Sequence, residues 1–187
     1  MTNADYLDGQ LLIAMPGMGD PRFDHAVIYM CAHSPEGAMG LVVNKLADNI
    51  TFPDLLEQLD IPVGDPREAI QVHFGGPVEE SRGFVLHSND YSQDGSMPVD
   101  EEMALTASVD VLKAISLGQG PKMSMLALGY AGWGPGQLDA EIQANAWLHL
   151  ASNDELVFGA DQASKWSQAV TMLGIDLSLL STTAGHA

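Results

Sequence analysis

An α+β fold on a mixed, mainly antiparallel sheet is predicted for this 187-residue chain by three features of its sequence. Short β-rich apolar runs come in pairs across turn residues, which is how hairpins read. Four helical segments are scattered among them without the strict strand–helix alternation of a doubly wound sheet. Hydrophobic residues make up 46% of the chain and charged ones 17%, enough apolar side chain for a core that needs no staples at this length. No repeat, charge run or low-complexity linker breaks the pattern. Residues 1–187 therefore read as one domain with flexible ends at about 1–6 and 178–187.

LDGQLLIAM at 7–15 begins with a short apolar strand, and PGMGDPRFD at 16–24 is a loop rich in proline, glycine and aspartate. Segments 25–32 and 38–44 form a hairpin around HSPEG, with a loop of several residues; their near-continuous apolar character buries at least one strand on both faces. Thr51 caps a short helix, FPDLLEQL, with Pro53 in its first turn and Asp54 three residues past the cap. Segments 70–74 and 83–87 form a second strand pair around GGPVEES, and NDYSQDGSMPVDEE at 89–102 is a polar surface loop. A strand at 103–107 leads to Ser108, the cap of SVDVLKAISLG. The buried side of that helix carries Val109, Leu112, Ile115 and Leu117, and Gly118 stops it. The most apolar strand, 122–130, is central; the glycine stretch and a helix over about 137–145 follow it. Segments 147–151 and 155–158 flank SND as a third hairpin, Asp161 caps the last helix, QASKWSQAVTML, and DLSLLSTTAGHA is a tail.

Charge narrows the function classes. Seven Lys and Arg stand against 25 Asp and Glu, a net charge of −18. Nucleic-acid affinity comes largely from cations that neutralise phosphates, so direct DNA binding is disfavoured unless folding gathers the scattered cations on one face. An anionic membrane surface repels the chain for the same reason. The field favours a basic partner or plain solubility. The N-terminal MTNADYLDGQ carries two acids and no Lys or Arg, unlike a secretory signal, and no apolar run is long enough to span a membrane. A cytoplasmic location is expected. Cys31 is the single cysteine, and its apolar surroundings mark it as a buried, unreactive thiol.

ALGYAGWGPGQL at 127–138 places a glycine turn between a strand and a helix, the setting in which main-chain N–H groups hold a phosphate. Its spacing matches neither G-x-G-x-x-G nor the G-K-[ST] loop, so a tight corner is the plainer reading. His73 and His87 lie symmetrically about residue 80 and become cross-strand neighbours if a hairpin turns there. Two imidazoles still lack a third ligand, and the plainer reading is a pair of strand-end histidines near the surface. No metal and no cofactor is expected. Asp20, Arg22, Asp24 and His25 crowd one turn, as a polar pocket or as local capping by aspartate. Ten methionines fill the core or form an adaptable binding face.

LLIAMPGMGDPRFDHAVIYMCAHSPEGAMGLVVNK, HFGGPVEESRGFVLHS and ALGYAGWGPGQLDAEIQANAWL, taken together and in order, resemble the AlgH/YqgE family of bacterial proteins. The resemblance implies a bifurcated sheet forming a pseudo-barrel with flanking helices. It also implies an association with regulation of exopolysaccharide synthesis, under a transcriptional-regulator label that sits badly with the charge. It brings no catalytic residues and no cofactor. Its characteristic positions fall here on Asp20, Phe23, Asn44, Gly75, Gly76, Gly129, Trp133, Gln137 and Glu141, among others, mostly turn and packing residues.

Three readings of function follow. The first is a non-enzymatic regulatory or binding protein acting through a protein partner or a small ligand, its oligomeric state open. The second is an enzyme or phosphate binder with a polar pocket where Asp20, Arg22, Asn44, Trp133, Gln137 and Glu141 converge. The third, direct transcriptional regulation, is the one that the charge disfavours.

Overall fold

Apolar side chains on both faces of the first three strands force a layer on either side of them. In β1 (Gln10–Ala14), β2 (Val27–Ser34) and β3 (Gly37–Val42), one set of alternate residues includes Leu11, Ile13, Val27, Tyr29 and Leu41. These meet Val157 of α4 (Asp154–Phe158) and Trp166, Ala169 and Val170 of α5 (Lys165–Met172). Their neighbours Leu12, Ala14, Ile28, Met30 and Val42 meet Leu138 of α3 (Gln137–Gln143) and Trp147 of β9 (Trp147–Ala151). The apolar run around Cys31 is therefore a strand buried on both faces, as the sequence suggests.

The computed structural model describes residues 6–16, 19–48, 50–62, 70–93 and 95–174. The predicted tail and most of the predicted flexible ends lie outside them. The remaining elements are α1 (Phe52–Gln58), β4 (Val72–Phe74), β5 (Val78–Ser88), β6 (Met97–Pro98), β7 (Met103–Thr106), α2 (Val109–Ser116) and β8 (Ser124–Trp133). Nine strands make one sheet in the order β6-β7-β5-β8-β3-β2-β1-β9, with β4 branching from β8. The sheet curls into a half-barrel, the mixed, mainly antiparallel α+β architecture expected, with helices flanking it. A third core cluster lies under α1 and α2, where Phe52, Leu56, Val111 and Ile115 pack on Val85 and Leu126.

The branch is a fork in β8. One edge of β8 pairs antiparallel with β5. The other edge is shared: Leu126–Leu128 pair in parallel with β4, and Ala131–Trp133 pair antiparallel with β3. Gly75 fills the crotch, donating its N–H to Leu128 O and accepting from Val42 N–H. The two backbones press so closely there that side chains cannot intervene. A Cβ on Gly76 would sit 2.1 Å from the Tyr130 carbonyl carbon, and one on Gly129 would sit 2.3 Å from Gly76 O. Both residues also hold positive φ, +154° and +75°.

The fork corrects the second predicted strand pair. Segments 70–74 and 83–87 do not pair with each other; β4 and β5 lie on opposite edges of β8. The third predicted hairpin is also absent. Asn153 Oδ1 accepts from the N–H groups of Glu155 and Leu156, which turns 155–158 into helix, while β9 pairs with β1. The first hairpin forms with a turn of just Pro35 and Glu36, because Ser34 pairs with Gly37. β8 runs on to Trp133, so the glycine corner shrinks to Gly134–Pro135–Gly136. Polar loop 89–102 contains the short strand β6. Thr51 caps α1 through the full reciprocal capping box with Asp54. Ser108 makes no such bond; its hydroxyl takes the Gln93 amide instead, and α2 buries Val111 and Ser116 while Val109 and Leu117 face solvent. The last helix opens as a 3-10 turn, Gln162–Ser164, before α5, and Asp161 makes no side-chain cap there.

Gly76→Ala or Gly129→Ala is expected to destabilise the protein by about 3–5 kcal/mol in chemical denaturation, since backbone must move at the fork. Gly134→Ala serves as the control: its nearest contact is Gln137 Oε1 at 3.9 Å. That change should stay within about 0.5 kcal/mol.

Candidate functional site

Three of the six residues expected in one pocket meet through a carboxylate. Glu141 on α3 faces the end of β8, where its Oε1 accepts the indole N–H of Trp133 at 3.1 Å and that of Trp147 at 2.9 Å. Its Oε2 accepts from Gln137 Nε2 at 2.9 Å. Gln137 Oε1 in turn accepts the Gly134 N–H at 3.0 Å. The corner is thus tied by side chains, and the main-chain donor nearest a would-be phosphate is already engaged. His33 adds a further tie: its Nδ1 accepts from Leu7 N–H, so Nε2 carries the proton and donates to Asp139 at 3.1 Å. Trp147 had no signal in the local sequence; its partner Glu141 reaches it through a turn at Asn145, with φ +64°.

Asp20 and Arg22 pair with each other. Asp20 Oδ1 caps the 3-10 turn Pro21–Phe23 by accepting Arg22 N–H, and the guanidinium closes on both carboxylate oxygens. Those bonds hold the Asp20 carboxyl below the usual carboxylate range. Arg22 lies over the Phe23 ring, and Phe23 meets Trp147 edge-on at 5.8 Å, so two aromatic rings separate this pair from Glu141. Asn44 is elsewhere. Its Oδ1 accepts from Val27 N–H and its Nδ2 donates to His25 O, which pins the start of β2. Asn44 lines a cavity of about 510 Å³ with Asp24, His25, Lys45 and Trp166.

A hollow of about 740 Å³ lies beside the fork. Between the pairs Val78↔Tyr130 and Gly83↔Leu128, β5 advances five residues while β8 advances two. The surplus bulges outward with Glu79 at φ +50°, and the sheet halves separate. Met39, Val78, Phe84, Leu105, Tyr130 and Trp133 give the cleft its apolar walls. Glu36, Glu79 and Arg82 supply its charge, with Arg82 3.6 Å from Glu79 and 5.1 Å from the centre of the Phe84 ring.

His73 and His87 are not neighbours across strands and not near the surface, because β8 separates them and both are buried. His73 Nδ1 donates to Leu126 O; burial and the nearby Lys165 cation push its pKa down to about 4. His87 Nδ1 donates to Ser88 O and its Nε2 bonds the Thr106 hydroxyl. Among the described residues no group of three or more His, Cys, Asp or Glu is placed to hold a metal ion. Cys31 is buried, and burial pushes its thiol up to about 12, so it stays protonated at neutral pH. Lys165 is also buried, its Nζ donating to Val43 O and Val157 O, and burial pulls its pKa down to about 8.

A family model described as AlgH-like matches residues 11–178. A UPF0301 protein of Afipia carboxidovorans is 55% identical over 97% of this chain and 90% of its own length. One from Rhodopseudomonas palustris is 56% identical over 98% and 88%. Among solved structures, the AlgH protein of Pseudomonas aeruginosa superposes with a TM-score of 0.79 at 41% identity, covering all of this chain and 99% of that one. A Corynebacterium diphtheriae protein shares the fold, with a TM-score of 0.71 at 19% identity over 97% and 94% of the two chains.

Glu141→Ala is expected to cost about 2–3 kcal/mol, because two indole N–H groups lose their acceptor; Glu141→Gln, which retains an oxygen, should cost less. Tryptophan emission during urea unfolding reads both. The His73 imidazole is neutral in the folded protein down to about pH 4. The unfolded chain binds that proton from about pH 6.5, so stability falls as pH drops between these values. Wild type should lose about 3 kcal/mol more than His73→Gln across that window.

Proposed function

The chain belongs to the AlgH-like family, and on that premise we propose that it works as a non-enzymatic binding protein whose small ligand lies in the cleft at the fork of the sheet. The observation that carries this reading is the cleft itself. Its volume, about 740 Å³, falls within the range of small-molecule sites, its walls are mostly apolar, and its few charged groups are Glu79 and Arg82 of β5 and Glu36 of the β2–β3 turn. A ligand with an apolar body and one polar end suits that lining.

A regulatory role exerted through a protein partner is compatible with this site, with ligand occupancy as the signal. Direct contact with DNA draws little support from a net charge of −18. Arg22 faces Asp20, Arg82 faces Glu79, Lys45 donates to Asp24 O and Lys165 is buried. Among the described residues no helix is long and apolar enough to cross a membrane, and a cytoplasmic site of action agrees with the single, buried thiol. The alternative, an enzyme or phosphate binder at the glycine corner, has less support because the Gly134 N–H and the Glu141 carboxylate spend their hydrogen bonds on each other's neighbours.

The probe is 1-anilinonaphthalene-8-sulfonate, an apolar body with one anionic end. Folded wild type should bind it saturably, and Val78→Trp, which fills the cleft, should weaken binding about tenfold with the unfolding midpoint kept. Equal binding by the filled variant would remove the cleft as the site.

A further inference from the structure

Four non-glycine residues hold positive φ among those described. Asp60 and Asn145 follow α1 and α3, where a left-handed residue is an ordinary helix stop. Glu79 lies on the fork cleft. The fourth, His25, lies on the separate 510 Å³ cavity between the start of β2 and α5.

His25 is held from several sides. Its φ of +55° places a residue with a Cβ in a conformation that costs about 1 kcal/mol. Asn44 maintains it by binding the His25 carbonyl and the Val27 N–H at once. The ring Nδ1 is 2.9 Å from Asp24 Oδ1, so Nδ1 carries the proton and donates. Nε2 then makes no hydrogen bond among the described residues. The ring rests against Trp166 at 4.3 Å, and Trp166 is itself anchored through its indole N–H on Ala14 O at 2.8 Å. Lys45 closes the wall; one of its ammonium hydrogens goes to Asp24 O at 2.9 Å, which leaves two.

We infer that this cavity is an oxyanion site, in which Lys45 Nζ and His25 Nε2 hold a phosphate or carboxylate group while Trp166 supports the apolar part of its carrier. The charges decide between ligand signs. Asp24 and Lys45 cancel, and from the α5 side Gln162, Trp166 and Ser167 contribute no charge to the lining. Lys165, next to Trp166, turns inward to Val43 O and Val157 O, and Asp20 neutralises Arg22. Protonation of His25 therefore takes the described lining from neutral to a net single positive charge. Asp24 fixes the ring so that the added proton sits on Nε2, where a charge-assisted bond to an oxyanion forms. This cavity shares no described lining residue with the fork cleft.

The probes are inorganic phosphate and acetate, followed through the His25 ring resonances by NMR. Either anion should shift them saturably. A response to phosphate alone assigns the site to phosphate-bearing ligands; an equal response to acetate assigns it to carboxylates as well. Lys45→Gln should weaken binding about tenfold. His25→Asn, which tolerates the same φ, should weaken binding with the unfolding midpoint kept. The filled-cleft variant Val78→Trp should bind as wild type does, separating this site from the proposed function. No saturable shift with either anion, or undiminished binding in Lys45→Gln, would overturn it.

Discussion

The close approach of two glycine-bearing backbones at the fork is the constraint on which the rest of this fold depends. A Cβ on Gly129 would run into Gly76 O, and one on Gly76 would run into the Tyr130 carbonyl. That contact lets one edge of β8 serve β4 and then β3. Once a strand is shared in this way, the two sheet halves must diverge. Divergence leaves space that strand side chains cannot fill, and the cleft occupies it. The surplus residues of β5, from Glu79 to Arg82, are the local adjustment that accommodates the change of direction.

Around the fork, side chains that look reactive in a list turn out to have structural partners. Glu141 is occupied by two indoles and an amide, Asn44 by two main-chain groups, and Asp20 by Arg22. A buried indole N–H or an interrupted strand start leaves a polar group that must be paired, and these residues pair it. The groups with capacity to spare are different ones. His25 retains a ring nitrogen on a cavity, Lys45 retains ammonium hydrogens, and the cleft walls present apolar surface to solvent.

Electrostatics follows the same division. Four of the seven cations lie close to oxygen acceptors: carboxylates for Arg22 and Arg82, main-chain carbonyls for Lys45 and Lys165. Local fields therefore depend on single pairs rather than on a shared basic surface.

What the sequence by itself determined was local. The capping box of Thr51 and Asp54, the hairpin of β2 and β3, the central apolar strand and the buried thiol all rest on residues a few positions apart, or on runs whose hydrophobic pattern states their burial. The family resemblance added the forked sheet. The tertiary structure alone decided the partners. β4 and β5 look like a hairpin in sequence, yet each does better against β8, because the longest apolar strand can satisfy two neighbours at once. Residues 155–158 have strand-like side chains, but Asn153 supplies the first N–H acceptors and a helix forms. Three of the six anticipated site residues, Trp133, Gln137 and Glu141, meet through their own short-range hydrogen bonds, and the fold brings the Trp147 indole onto the same carboxylate. His73 and His87 were separated because a third strand runs between them. Hydrogen-bond partners distant in sequence are chosen by which backbone can approach which. At the fork that choice belonged to glycines whose role becomes visible when two strands are brought together.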